Sequence, residues 1–217
     1  MSDLKLVIFD CDGVMFDSKE ANRAYYNHLL ARFGHPPMSA ADLEYVHMHH
    51  VMDSVRQIFR HHPQDLVAAD AYRRQIEYTP YLRHMRMEPD LRRFLDLLET
   101  DYTAAISTNR TTTMSTILKI FDLERYFEMV VTAADVAHPK PHPEALHRIL
   151  AHCRCTVDEA VYIGDSPVDR EHTASIGMRL IAYKNPALAA EYHVTSFMAI
   201  TALPFWPLKT AHRQAAP

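Results

Sequence analysis

The chain has 217 residues, room for one domain or for one domain carrying a smaller insert. Apolar residues make up 48%, too many for a disordered chain, and a net charge of −4 provides no basic face for duplex nucleic acid. No apolar run is long enough for a transmembrane helix, the first ten residues do not resemble a signal peptide, and three cysteines (Cys11, Cys153 and Cys155) are too few for a disulfide framework, so a cytoplasmic location is expected. Only 4 glycines are present, so each is expected to hold a special backbone position.

In chain order, residues 4–9 form a short apolar run that reads as a buried strand ending at Asp10. Residues 102–107, 129–132, 160–163 and 178–183 read the same way. Helical stripes lie between them: Leu91, Phe94, Leu95 and Leu98 recur at helical spacing, and 114–121 and 143–151 behave alike, Pro143 suiting a helix start. Strands alternating with helices predict an α/β fold, a Rossmann-like parallel sheet with helices on both faces. Residues 18–87 break the alternation. They read as helices over 20–33, 41–61 and 65–79, an α-helical insert between the first and second strands. The expected division is a core of 1–16 and 88–217 and a helical unit of 17–87. The tail, 203–217, reads as a poorly packed terminus.

Four strand ends carry reactive side chains. Asp10 and Asp12 follow the first strand with Gly13 beside them; Thr108 and Asn109 follow the second; Lys140 follows the third, inside Pro139-Lys140-Pro141; Asp165 and Asp169 follow the fourth. Ligands of open parallel sheets gather at these carboxyl ends. A lone Asp-x-Asp-Gly is also a common turn; the second acidic strand end gives it weight. Carboxylate oxygens suit a hard cation such as Mg²⁺, and a cation, a lysine and a hydroxyl together suit a phosphoryl group. An aspartate can attack as a covalent nucleophile, and a second acid can shuttle the proton.

In these motifs the chain resembles the haloacid dehalogenase-like hydrolases, in their phosphatase branch, which includes phosphoglycolate phosphatase and beta-phosphoglucomutase. The resemblance covers nearly the whole core. It implies Mg²⁺-dependent hydrolysis of a small phosphate monoester through an aspartyl-phosphate, with the insert as a mobile helical cap. It assigns Asp10 as nucleophile, Asp12 as acid/base, Thr108, Asn109 and Lys140 to the phosphoryl group, and Asp10, Asp165 and the main-chain carbonyl of Asp12 to the metal. Asp169 is expected to orient Lys140 or a metal-bound water. The insert segment around His47, His49 and His50 is the candidate for leaving-group specificity. No nucleic acid or membrane partner is expected, and the oligomeric state is left open. A hexose-phosphate mutase is the alternative, although such an enzyme would carry a cap arginine where this chain has His and Met. A catalytically silent binding or regulatory protein is the other; the intact motif set argues against it. Asp12 argues against a dehalogenase, and Lys19, the insert's sole lysine, is a poor Schiff base for a phosphonatase.

Overall fold

The computed structural model describes residues 4–48 and 51–206. In chain order it contains β1 (Leu6–Phe9), β2 (Phe16–Asp17), α1 (Lys19–Arg32), α2 (Ala40–Met48), α3 (Val51–Ile58), α4 (Leu66–Arg73), β3 (Arg86–Met87), α5 (Leu91–Leu98), β4 (Thr103–Ser107), α6 (Met114–Ile120), β5 (Phe127–Val131), α7 (Glu144–Cys153), β6 (Ala160–Gly164), α8 (Pro167–Ala174), β7 (Arg179–Tyr183) and β8 (Tyr192–Val194). Six strands form one sheet in the order β5-β4-β1-β6-β7-β8, and every pair in it is parallel. Such strands are covered on both faces, which is why β1 is apolar at every position instead of alternating.

The chain divides into two compact units: 1–15 with 89–112 and 123–217, and 16–88 with 113–122. In the first unit the two faces of the sheet have different cores. Leu6 and Ile8 pack with Tyr162, Leu180, Leu146 and Ile149, all buried. Phe9, at the end of β1, meets Phe94, Phe127 and Phe197 at ring-centroid distances of 6.2, 5.8 and 5.9 Å. Truncating one such buried ring costs about 3–5 kcal/mol. β1 lies between β4 and β6, where the strand order reverses direction. That is the crevice in which open α/β sheets hold their ligands.

The second unit is built on α1. Ala21, Tyr25, Tyr26, Leu29 and Leu30 form one buried stripe at helical spacing. Val55, Ile58, Phe59 and Ala69 complete that core. Arg73 and Arg74 pair with Asp70 at 2.6 and 2.8 Å, an ion-paired helix face as their alternation with acids suggests.

Several details differ from the sequence reading. β8 lies outside the expected strands; three residues with one buried position leave no apolar run to read. The pairing of β2 with β3 is antiparallel and two residues long, too short for any periodicity. Residues 41–61, read as one helix, contain α2 and α3. Segment 113–122, placed in the core on sequence, groups with the helical unit, where Phe121 packs on Phe16 at 4.7 Å. Residues 203–206 are not a loose tail: Trp206 lies 4.9 Å from Tyr102 and 5.6 Å from Phe94, and Arg179 covers the Phe205 ring. Residues 207–217 lie outside the described residues. Among the described residues no helix is long and apolar enough to cross a membrane.

Candidate active site

Each strand of the sheet's centre delivers one loop to the same edge. β1 ends at Phe9, so Asp10 is the first residue past the ladder, and its N–H still donates to Ile163 O at 3.0 Å. Asp10 Oδ1 accepts from the Cys11 N–H at 2.7 Å and faces Lys140 Nζ at 2.9 Å. Both contacts fall on Oδ1, which leaves Oδ2 without a hydrogen bond among the described residues. Burial pushes the Asp10 carboxyl up to about 7, against the pull of Lys140, with Asp169 adding to the rise.

Lys140 is the hub. Its side chain is 4% exposed, and its ammonium meets Asp10 Oδ1, Asp169 Oδ1 at 2.7 Å and the Tyr162 hydroxyl at 3.0 Å. Three donors thus have three partners. Burial alone would lower its pKa, but Asp10 and Asp169 beside it hold it well above the ordinary lysine range. The fold supplies each partner. Asp169 is the third residue of α8 and shares a capping box with Ser166. Its Oδ2 accepts from the Asp165 and Ser166 N–H groups and from Ser166 Oγ, at 3.1, 3.2 and 2.8 Å. Despite complete burial it is held below the usual carboxylate range by Lys140 and these bonds. Its oxygens are therefore committed to Lys140 and the α8 N-terminus.

Asp165 contrasts with Asp169. Its backbone is fixed, since Asn185 Nδ2 donates to its carbonyl at 2.7 Å, yet its carboxylate has no hydrogen bond or ion pair among the described residues. Burial and the neighbouring Asp10 push it up to about 8. Gly13 makes room for it. A Cβ there would lie 2.0 Å from Asp165 Oδ2, and the backbone at Gly13 has φ +75°, which disfavours other residues. Gly164 is held in the same way by Asp169, whose Cβ would be 2.5 Å from an added one. Asp10, Asp165 and Asp169 each offer an oxygen within 4.8 Å of the others. A partnerless acid beside the open Oδ2 of Asp10, with hard oxygen donors only, fits a divalent cation such as Mg²⁺. Asp10 and Asp165 are the residues with oxygens to spare.

Thr108 is 3% exposed and follows β4 directly; its N–H donates to Val131 O and its Oγ1 accepts from the Arg110 N–H at 3.2 Å. Its hydroxyl hydrogen is left to donate elsewhere. Asn109 Nδ2 donates to Lys140 O at 3.1 Å, tying two loops together. Asp12 is gripped by a residue the sequence reading overlooked. Arg110 donates from Nε to Asp12 Oδ2 at 2.7 Å and from Nη2 to Asp12 Oδ1 at 2.6 Å, the two-pronged fork of guanidinium on carboxylate. Arg110 is only 10% exposed and Asp12 30%.

Tyr162 was also missed. A tyrosine inside a buried strand needs a partner for its hydroxyl, and that requirement was the available signal. Its oxygen lies 2.9 Å from Ser107 O and 3.1 Å from Asp169 Oδ1. Beneath it, buried His172 faces Ser107 Oγ at 3.1 Å, and burial followed by Lys140 lowers its pKa to about 4. His47 belongs to the other unit, with Nδ1 3.5 Å from Asn22 Nδ2. His49 and His50 lie outside the described residues.

Known proteins resemble this chain in sequence and in fold. The chain is 30% identical over 111 residues to a relative from Caldanaerobacter subterraneus, a match spanning half the length of each. It is 26% identical over 170 residues, 76% of each chain, to a Bacillus pumilus protein named pyrophosphatase PpaX. A crystal structure of a subfamily IA hydrolase of the haloacid dehalogenase superfamily from Geobacter sulfurreducens is 37% identical. It covers 92% of this chain and 95% of its own, with a TM-score of 0.81. The family model for haloacid dehalogenase-like hydrolases matches residues 7–183, all of the sheet but its last strand, and the chain belongs to that family.

Proposed function

We propose that this hydrolase is a phosphatase that cleaves a small phosphate monoester through an aspartyl-phosphate on Asp10. The observation that carries the reading is the split within the carboxylate cluster. Lys140 and a backbone N–H occupy Oδ1 of Asp10, while its Oδ2 and the side-chain carboxylate of Asp165 accept from no donor among the described residues. A carboxylate fixed by a lysine and a backbone N–H, with capacity left for a cation, is held in place to attack phosphorus. Asp10, Asp165 and the Asp12 carbonyl would hold a divalent cation, which would supply the charge that lets an anion approach a phosphate dianion.

The chain's own groups account for the rest. The Asp10 carboxylate forms the bond to phosphorus as the bond to the leaving oxygen breaks. Lys140 and the Thr108 hydroxyl face the charge that gathers on the phosphoryl oxygens. Asp12 gives a proton to the leaving oxygen and then accepts one from the water that opens the aspartyl-phosphate. Both Asp12 oxygens are held by the Arg110 fork, so the fork has to open for the leaving oxygen to reach them. Asp169 and Tyr162 position Lys140, and Asn109 ties the Lys140 loop to the Thr108 loop.

Pyrophosphate is a second candidate substrate, because the Bacillus pumilus relative carries that name. The test is phosphate release from a panel of phosphate monoesters and pyrophosphate, with Mg²⁺ and with chelator. Mg²⁺-dependent release that vanishes in Asp10→Asn is expected. Undiminished release in chelator would refute the metal assignment, and none from any substrate would refute the activity. Three cysteines without a disulfide fit a reducing, cytoplasmic setting.

A further inference from the structure

The loop that delivers Lys140 carries a second group of metal-ligating side chains, which the reaction above does not use. His138, His142 and Glu144 each offer one ligand atom, and the three atoms lie within 4.8 Å of one another. The two imidazoles have ring centroids 4.6 Å apart. Both histidines are exposed, so their rings can turn toward an ion without disturbing the core.

The carboxylate is already fixed. Glu144 opens α7, with Oε1 accepting from the Ala137 N–H and Oε2 from the His138 N–H, both at 3.0 Å. The loop curls on itself through the His142 N–H, which donates to Pro139 O at 3.0 Å. Pro139, Pro141 and Pro143 alternate through it, and each fixes its own φ, so ordering the loop around an ion costs little further backbone entropy.

The spacing suits coordination. Two ligand atoms each about 2.1 Å from a tetrahedral ion are about 3.4 Å apart. His138 Nδ1 and Glu144 Oε2 are 3.3 Å apart, so this edge needs no adjustment. Among the described residues the ring of His142 takes part in one hydrogen bond, a 3.3 Å contact from the Glu144 N–H to its Nδ1, a weak competitor for an ion. The donor set also chooses the metal. Two imidazoles and a carboxylate suit Zn²⁺, Ni²⁺ or Cu²⁺, whereas Mg²⁺ prefers oxygen alone, as at Asp10 and Asp165. The molecule thus has two clusters that different ions would occupy.

We propose that His138, His142 and Glu144 form a binding site for a divalent transition-metal ion of the Zn²⁺ type, with at least one position left open to water. Lys140 lies between the two histidines in sequence, so an ion there braces the segment that presents it.

The test is a Zn²⁺ titration of metal-stripped protein held in saturating Mg²⁺, followed by calorimetry, on the wild type and on the His138→Ala/His142→Ala variant. Both rings are exposed, so the variant is expected to keep the wild-type Tm. The wild type should take up a Zn²⁺ ion that the variant binds more than about tenfold more weakly, since losing even an outer-shell partner of a metal costs that much. Equal binding by the variant would put the ion elsewhere, for example on stacked His35 and His62, and would overturn the proposal, as would no binding by the wild type. Anomalous scattering from wild-type crystals soaked in Zn²⁺ provides a second check. A peak among the three side chains is expected, and peaks only at other positions would refute the site.

Discussion

The strand-end loops and the helical unit solve the problem of polar groups in opposite ways. At the strand ends, acids and a lysine are concentrated in one place, and their charges are balanced incompletely: Lys140 has three partners, while the Asp165 carboxylate has no donor among the described residues. In the helical unit every described acid with a buried side chain is provided for. Asp42 accepts from Ser39 Oγ at 2.7 Å, Gln57 at 3.1 Å and Arg60 at 2.7 Å, and its pKa is lowered despite some burial. The remainder of that unit is aromatic packing, with Tyr25 touching Tyr26, Tyr78 and Tyr81 at ring distances of 5.1, 5.1 and 5.5 Å. A satisfied acid stabilises a fold, whereas an unsatisfied one next to an open nucleophile is held ready for a ligand. The lesson is that chemistry is marked by the imbalance, more than by the presence of charge.

The sharpest break of this contrast is Asp10→Asn. The variant keeps the shape and loses the nucleophile, so kcat should fall at least about a thousandfold on every substrate. Hydrolysis in ¹⁸O-water should label the released phosphate while the Asp10 carboxylate stays unlabelled over many turnovers. Label in Asp10 would mean that water attacks the aspartyl carbon, and the phosphoryl-transfer mechanism would be wrong.

Next come Asp165 and Asp169, neighbours with opposite surroundings. In metal-free protein Asp165 is raised from 3.8 to about 8 and Asp10 to about 7. Raised carboxyls mean that the folded state binds more protons than the unfolded state between about pH 4 and 8. Their contribution to stability is therefore complete below the unfolded value, declines from about pH 4 upward and is fully lost once pH has risen past 7 to 8. Tm in EDTA should fall over that range, and Mg²⁺ should restore it while releasing protons. Asp165→Asn removes an unpaired buried charge. It should raise Tm in EDTA at pH 8.5 and abolish the response to Mg²⁺. Asp169→Asn breaks the Lys140 pair and should lower Tm at every pH. Equal behaviour of the two variants would erase the distinction between them.

A smaller effect is expected at Arg110. Arg110→Ala frees Asp12 from its fork, and kcat for alkyl phosphates should drop about ten- to a hundredfold, within the range of general acid–base contributions. Arg110→Lys should recover little, because an ammonium cannot make the paired contact. An activated aryl phosphate needs no proton on its leaving group, so its first step should be spared and a burst of phenolate should precede slow turnover. A uniform loss across substrates without a burst would assign Arg110 to the phosphoryl group instead of Asp12.

The sheet and its acidic strand ends were legible because both depend on short-range signals. A strand covered on both faces is an unbroken apolar run, and Asp10, Asp12, Thr108 and Asp165 each sit within a few residues of one, while Lys140 stands out inside its run of prolines. Arg110 and Tyr162 were not legible, since their meaning comes from partners 98 and 55 residues away. Asn109 was read toward the ligand but is engaged with the Lys140 loop. β8 and the β2–β3 pair are too short to show a period, and the packing of Trp206 depends on Tyr102, about a hundred residues earlier. Local pattern finds the groups; their state of charge depends on contacts that only the folded chain creates.

The least effect is expected in the helical unit, where the family resemblance points to leaving-group recognition. His47 lies in the last turn of α2, and its Nδ1 is 3.5 Å from Asn22 Nδ2, while Asn22 Oδ1 accepts from the Tyr78 hydroxyl at 2.9 Å. A neutral imidazole both donates and accepts, and its charged form can meet a carboxylate, so hydroxyl-bearing or carboxylate-bearing leaving groups suit this segment better than a second phosphate. Replacing His47, His49 and His50 by Ala removes at most a few hydrogen bonds. At about 1 kcal/mol each, one lost bond raises KM about fivefold. The triple variant should therefore shift KM among substrates that differ in leaving group, while kcat on an aryl phosphate stays at the wild-type value, because the Asp10 cluster is intact. If the variant ranks a substrate panel as the wild type does, these imidazoles are scaffold. The contrast between the two regions would then be complete, with recognition as well as chemistry assigned to residues other than these three.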